Sequence, residues 1–188
     1  MKPSEPGGPK ARVNHITELY RGGPFDFAAE NITLPNGVQT DIALVRHPGS
    51  TAIVPLFDDG GVALTRQYRH PVGDYLLEIP AGTLEPGESP LACARRELTE
   101  ETGLIAARWT EIARVHIIPA YSDERIWIYL ARDFTRTRQN LDPDEIIEVV
   151  TYPWNDVMAM IDDGRITDAL TILALQKVWR GRQQEMPR

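Results

Sequence analysis

Three carboxylates fall within five residues of the segment GTLEPGESPLACARRELTEETGL, residues 82–104: Glu97, Glu100 and Glu101. Spacings of three and four residues bring side chains together on a helix, so the three can converge. Residues 90–102 read as that helix, because Ser89 can cap it, Pro90 suits its first position and Gly103 suits the stop after its end. Leu91, Ala94 and Leu98 fall within about 60° of one another and form an apolar seam, leaving the glutamates on a different face. Like charges at these spacings oppose an exposed helix by about 0.2–0.5 kcal/mol per pair, and negative charge near a helix C-terminus meets the unfavourable end of the macrodipole. Two arrangements answer the conflict. One is a solvated acidic face partly neutralised by Arg95 and Arg96; the other is a seat for a hard divalent cation such as Mg²⁺, which prefers carboxylate oxygens and bridges to phosphates.

The second arrangement would also supply positive charge that the chain lacks. Its 188 residues carry a net charge of −7 with a sequence pI of about 5.1, which argues against binding nucleic acid by charge. The length suits one compact domain with a small extension. A single cysteine, Cys93, excludes an internal disulfide framework and a cysteine-based zinc site, and it reads as a small helix filler. His15, His47, His70 and His116 never fall at metal-ligand spacing. The opening MKPSEPGGPKARVNH has no apolar signal-peptide core, and no apolar run reaches the roughly 20 residues that span a bilayer. A cytoplasmic protein without membrane or nucleic-acid partners is expected.

The elements that must position the glutamates are mostly strands. Residues 1–13 read as a Pro- and Gly-rich disordered tail. Short β-like stretches follow: ITELYR, FAAENITL, TDIALVRH, TAIVPLF, VALTRQYR and YLLEIPAG. Asn36-Gly37 and the DDGG at 58–61 read as hairpin turns between them. Beyond the helix come EIARVHII, RIWIYLARDF and IIEVVTYP, then two helices for which Asn155 and Thr167 are candidate caps. Strands first and few helices make the class α+β.

The whole segment is more specific than its glutamates. Gly82, Glu88 and RELTEETGL fill Gly-x5-Glu-x7-Arg-Glu-U-x-Glu-Glu-x-Gly-U, where the aliphatic U positions are Leu98 and Leu104. This pattern resembles the Nudix box, and the chain resembles a Nudix hydrolase over roughly residues 16–182. The resemblance implies a Nudix fold, a mixed β-sheet between helices preceded by an antiparallel β region. It implies a dimerising and base-recognising region at 14–49 and a catalytic domain at 50–188. It also implies hydrolysis of a diphosphate linkage with two or more Mg²⁺ or Mn²⁺ ions. Glu97, Glu100 and Glu101 would be metal ligands with the main-chain carbonyl of Ala81, and Arg96 and Glu88 would lock the loop-helix-loop.

Outside the box, VALTRQYRHPVGDYLLEIPAGTLEPGE and IIPAYSDE resemble the ADP-ribose pyrophosphatase branch. Pro119 lies fifteen residues beyond the box, as that branch has it, but Ala120 stands where the branch often has glycine. The resemblance assigns Arg69 to a substrate phosphate, Glu78 to the metal or ribose end, and Pro119 and Glu124 to the substrate pocket. Asp142, Asp144 and Glu145 are candidates for the catalytic base, and Glu145 fits the branch pattern best. Tyr20, Phe25 and Phe27 are candidates to stack on adenine, with Arg46 coming from the partner of a homodimer. The expected reaction converts ADP-ribose to AMP and ribose 5-phosphate. GDP-mannose or another nucleoside diphosphate sugar is the alternative substrate, and a nucleotide-sensing module without catalysis is the alternative class.

Overall fold

The computed structural model describes residues 7–185, and the chain divides into two compact units. The first gathers the described residues up to Pro48 with Ile118–Glu124. Its strands β1 (Arg12–Gly22), β2 (Phe25–Thr33) and β3 (Gln39–Arg46) form one antiparallel sheet in that order. The Asn36-Gly37 turn joins β2 to β3: Gly37 takes φ 85°, and the Asn36 side chain accepts the Val38 N–H at 3.1 Å.

Two boundaries differ from expectation. Arg12 and Val13 belong to β1, paired with Thr33 and Ile32, and not to a tail ending at residue 13; residues 1–6 of that tail lie outside the described residues. Ile118–Glu124 joins the first unit and not the domain beginning at residue 50. The reason is backbone pairing with β3: Val45 N–H donates to Tyr121 O at 2.8 Å, and Asp123 N–H to Val45 O at 3.3 Å.

In chain order, the second unit contains β4 (Ser50–Pro55), β5 (Gly61–Arg69), β6 (Asp74–Glu78), β7 (Ala81–Thr83), α1 (Pro90–Thr102), β8 (Leu104–His116), β9 (Arg125–Arg136), β10 (Ile147–Pro153), α2 (Trp154–Asp162) and α3 (Ala169–Glu185). One sheet has the order β7-β4-β9-β8 and is mixed, because β4 runs parallel to β9; the other has the order β10-β5-β6. The DDGG turn therefore hands the chain from one sheet to the other. Apart from a bridge between Leu56 and Val62, β4 and β5 do not form the expected hairpin. The stretch YLLEIPAG also splits: proline has no N–H for the ladder, so at Pro80 the chain leaves β5 and pairs through β7 with β4.

Helices cover both faces of the mixed sheet, giving the expected α+β arrangement. Ala94 and Leu98 of α1 share one buried cluster with Ile53, Leu104 and Tyr129. Val157 of α2 and Ala174, Leu175 and Val178 of α3 share the other with Ala52, Val54 and Ile128. Ser89 caps α1, its hydroxyl accepting the Ala92 N–H at 3.3 Å, and Gly103 ends it at φ 65°. The later helices start differently from expectation. Helix α2 begins at Trp154 without a side-chain cap, and α3 is capped by Asp168, whose carboxylate reaches the Thr171 N–H at 2.7 Å. The Thr171 hydroxyl in turn accepts the Ile79 N–H at 3.0 Å, tying α3 to the break between β6 and β7. Among the described residues no helix is long and apolar enough to cross a membrane.

Leu98 is fully buried at the seam of α1. Leu98→Ala should lower the unfolding free energy by about 2–5 kcal/mol, read as a shift of the urea midpoint at unchanged slope.

Candidate active site

Helix α1 presents the acidic turn toward the loop that precedes it. The Arg96 guanidinium sits at the centre. Its Nη1 donates to Glu97 at 2.8 Å and to Glu100 at 3.1 Å. Its Nη2 and Nε donate to the two oxygens of Glu88 at 2.9 and 3.1 Å, and Nη2 also reaches the Thr83 carbonyl at 3.1 Å. One arginine thereby joins β7, the loop and the helix. Arg96 of the helix and Glu88 of the preceding loop are thus paired through two hydrogen bonds.

The three glutamates do not converge as a ready-made cation cage, and among the described residues no group of three or more His, Cys, Asp or Glu side chains does so. Arg96 is the nearest counter-charge, and it draws Glu97 and Glu100 to itself. Glu101 turns to the backbone N–H of Ala81, which donates to it at 3.2 Å. Ala81 thus meets the site through its N–H here, where its carbonyl was the expected ligand.

Burial makes these charges costly. Desolvation holds the carboxyl of Glu101 well above the usual range, reinforced by repulsion from Glu97 and Glu145; the Ala81 N–H and the Arg69 charge oppose the rise. Burial likewise raises Glu97, with Glu100 and Glu145 adding to it against the pull of Arg96. Glu88 moves the other way, because the Arg96 hydrogen bonds favour its ionised form. Gly82 leaves the space that Glu97 fills: a Cβ there would lie 1.9 Å from the Glu97 carboxyl carbon. Next to it Cys93 is fully buried, with the Thr51 hydroxyl donating to its sulfur at 3.3 Å. Burial pushes its thiol up to about 12, so it remains a neutral filler at ordinary pH.

The loop between β9 and β10 docks on the C-terminal end of α1. Thr137 N–H donates to Gly103 O at 2.7 Å, Asn140 N–H to Glu100 O at 2.9 Å, and the Gln139 amide to Glu101 O at 2.5 Å. These bonds satisfy carbonyls that a helix end leaves without partners. Sequence reasoning passed over Gln139 and Asn140; two amide residues shortly after a strand were the available signal. Glu145 caps the same loop, its carboxylate accepting the Asp142 N–H at 3.0 Å, and its charge is felt at both Glu97 and Glu101. Asp142 and Asp144 are exposed, whereas Glu145 is half-buried.

Arg69 reaches the site from β5. It grips Glu78 of β6 with Nη2 at 2.7 Å and Nε at 3.0 Å, and its charge acts on Glu101. Glu78 is buried, while the Arg69 side chain keeps 42% of its exposure, enough to meet a second anion.

The remaining expected residues belong to the first unit. Arg46 pairs with Asp123 at 2.8 Å and with Glu30, and the Asp123 carboxylate also accepts the His47 N–H at 2.9 Å. Phe25 stacks near His47 with ring centroids 6.5 Å apart, and Phe25, Arg46, His47 and Asp123 line a cavity of about 360 Å³. Glu124 lies 3.8 Å from the His47 ring nitrogen, and Pro119 sits in the turn closed by Tyr121 N–H to Ile118 O. Tyr20 and Phe27 are exposed on the sheet and do not line that cavity.

Comparison with known proteins gives a consistent picture. The NUDIX domain family model matches residues 46–173. An ADP-ribose pyrophosphatase of Bacillus subtilis (strain 168) is 34% identical over 161 residues, covering 85% of this chain and 87% of the relative. A GDP-mannose pyrophosphatase of Yersinia pestis (strain Pestoides F) is 36% identical over 140 residues, 70% of each chain. A crystal structure of an ADP compounds hydrolase superposes with a TM-score of 0.81 at 25% identity, covering 94% of this chain and 96% of that one.

The raised carboxyls have a measurable consequence. A folded acid held above its unfolded value weighs against the fold when ionised, and that penalty is relieved as pH falls through the folded value. Thermal melts in EDTA should therefore show Glu101→Gln more stable than the parent at neutral pH, the two midpoints approaching each other as the medium is acidified. A lower midpoint for the variant at neutral pH would contradict this.

Proposed function

The chain belongs to the NUDIX domain family, and from that premise we propose that it hydrolyses the diphosphate linkage of ADP-ribose to AMP and ribose 5-phosphate. One observation carries the reading. Glu97 and Glu101 are buried against repulsion, both within electrostatic reach of Glu145, and Glu101 also feels the charge of Arg69, so acidic ligands, a candidate base and a phosphate-binding cation lie close together. The named activities of the relatives support the substrate, since an ADP-ribose pyrophosphatase matches most of the chain and an ADP compounds hydrolase shares its fold.

The donor set fits a hard divalent cation. Its oxygens are carboxylates, burial makes ionising Glu97 and Glu101 costly in a way that positive charge would offset, and Gly82 keeps room for Glu97. Glu97, Glu100 and Glu101 would hold two or more Mg²⁺ or Mn²⁺ ions, with the Ala81 carbonyl completing the set. When bound, such ions neutralise the diphosphate and make water more acidic. The protein's own residues do the rest. Arg69 donates to a phosphate oxygen and holds it beside the acidic turn. Glu145 takes the proton of the attacking water, from a loop pinned to the end of α1. Arg96 keeps Glu97 and Glu100 on one side of the helix, and Glu78 fixes the plane of Arg69. In the first unit, Phe25 and Arg46 would receive the adenine end and Glu124 and Pro119 would shape the pocket.

A homodimer accompanies this reading, and the surface of the first unit supports it. Ile16, Leu19, Tyr20 and Ile42 are between 40% and 58% exposed on one three-stranded sheet, more apolar surface than such a sheet needs to leave open. A cytoplasmic setting suits the free, buried thiol of Cys93. GDP-mannose is the second substrate reading, favoured by the Yersinia relative.

With Mg²⁺ present, ADP-ribose should be turned over faster than GDP-mannose, yielding AMP and ribose 5-phosphate by chromatography, and EDTA should abolish turnover. Glu100→Gln should lower kcat by about 100-fold or more with the fold intact. Equal or faster cleavage of GDP-mannose would transfer the assignment to the second reading. Sedimentation should return twice the 21.1 kDa chain mass, and Leu19→Glu should shift it toward a single chain.

A further inference from the structure

A second crowding of like charge lies on the other face of the mixed sheet. Arg108 of β8 and Arg132 of β9 are directly opposed across the strands, so their side chains share a face, a placement that weakens strand pairing. Both line a groove whose opposite wall is α3, where Lys177 lies between the two halves and Arg180 adds a further cation. Among the described residues Arg108 pairs with Asp133 at 3.1 Å, while Arg132, Lys177 and Arg180 have no carboxylate within ion-pair distance. Asp133 itself takes φ 60°, the one non-glycine residue at positive φ among those described, a conformation that L-residues adopt at a cost. Four cations around one groove are conspicuous in a chain of net charge −7.

Gly181 sharpens the case. Glycine inside a helix disfavours it, and a Cβ at this position would meet nothing within 4 Å. Packing within the described chain therefore does not require the missing side chain. Gly181 lines both halves of the groove, whose volumes are about 660 and 460 Å³, within the range of small-molecule sites. Ile112, Leu130, Leu173 and Val178 supply apolar wall beside the cations.

We propose that this groove is a binding site for a phosphomonoester of nucleoside-monophosphate size. The dianion would lie against Arg108, Arg132 and Lys177, and the organic part against Ile112 and Leu173 in the space left at Gly181. Guanidinium groups match phosphate oxygens in pairs, and a dianion between Arg108 and Arg132 removes their mutual repulsion. Size favours a small ligand over a polyanion. A long acidic partner meets the net negative charge of the chain around the groove, whereas a ligand within it lies inside about one Debye length, roughly 8–10 Å, of the cations. The site is distinct from the acidic turn, because α1 and α3 pack in the two separate clusters on opposite faces of the sheet, and it does not depend on the proposed hydrolysis.

Calorimetric titration of the full chain with AMP in EDTA tests this while metal-dependent turnover is silent. Saturable binding is expected. The double variant Arg132→Gln/Lys177→Gln should weaken it at least about tenfold. Gly181→Leu should do the same by filling the groove while favouring the helix, with circular dichroism showing the fold retained. Glu100→Gln should bind as the parent does, and adenosine should bind at least about tenfold more weakly than AMP. Ribose 5-phosphate binding as tightly as AMP would assign recognition to the sugar phosphate, and weaker binding would assign part of it to the base; either supports the class. Failure of AMP to saturate at millimolar concentration, or binding indifferent to both groove variants, would overturn the proposal. So would inorganic phosphate binding as tightly as AMP, which would mark an adventitious ion only, or polyadenylate binding more tightly than AMP through the same residues.

Discussion

A single guanidinium, that of Arg96, holds the acidic turn of the second unit in place. It collects the Thr83 carbonyl from β7, Glu88 from the loop, and Glu97 and Glu100 from α1, with a quarter of its side chain exposed. Removing one partner from such a partly buried set leaves charges without compensation, which is why these contacts constrain more than an exposed pair would. The balance of the set also matters. One cation faces three carboxylates, and Glu101 stands beside them accepting the Ala81 backbone N–H. The loop and helix are thereby locked while a deficit of positive charge remains, and that deficit is the basis on which a hard cation can be accommodated.

Much of this was legible in the sequence because it is local. Helix spacing placed the glutamates on one face, Ser89 and Gly103 marked the ends of α1, and the pairing of Arg96 with Glu100 follows from one turn of helix. What was not legible depends on which segments meet. The residues of a tight turn report that the chain reverses but not which strand it will then pair with, and so DDGG concealed a change of sheet. Asp168 and Thr167 are adjacent residues of cap-forming type, and only tertiary position selected the first. The docking of Gln139 and Asn140 on the last carbonyls of α1 has no periodicity to announce it, although it carries Glu145 into the field of Glu97 and Glu101. The same holds for Ile118–Glu124, whose membership of the first unit rests on backbone bonds to Val45.

The second unit sorts its unfavourable charge by layer. Acidic residues crowd on the α1 side of the mixed sheet and basic residues on the α3 side, with the apolar strands β4 and β9 between them. Neither crowd would be chosen for stability, since each sets like charges within one helical turn or one strand pair. A well-packed core, in which Ala52, Ile53, Val54 and Ile128 are fully buried, is what tolerates both. It contributes the excess stability against which local repulsion can be maintained.

The hydroxyl of Thr171 holds the Ile79 amide across 92 residues of chain. During synthesis, a strand end that will flank the acidic turn must therefore wait for a helix translated much later. Until α3 emerges, the Ile79 amide lacks this partner, and the backbone just ahead of Ala81 is held on one side alone, through the Ile53 N–H that donates to the Pro80 carbonyl at 2.9 Å.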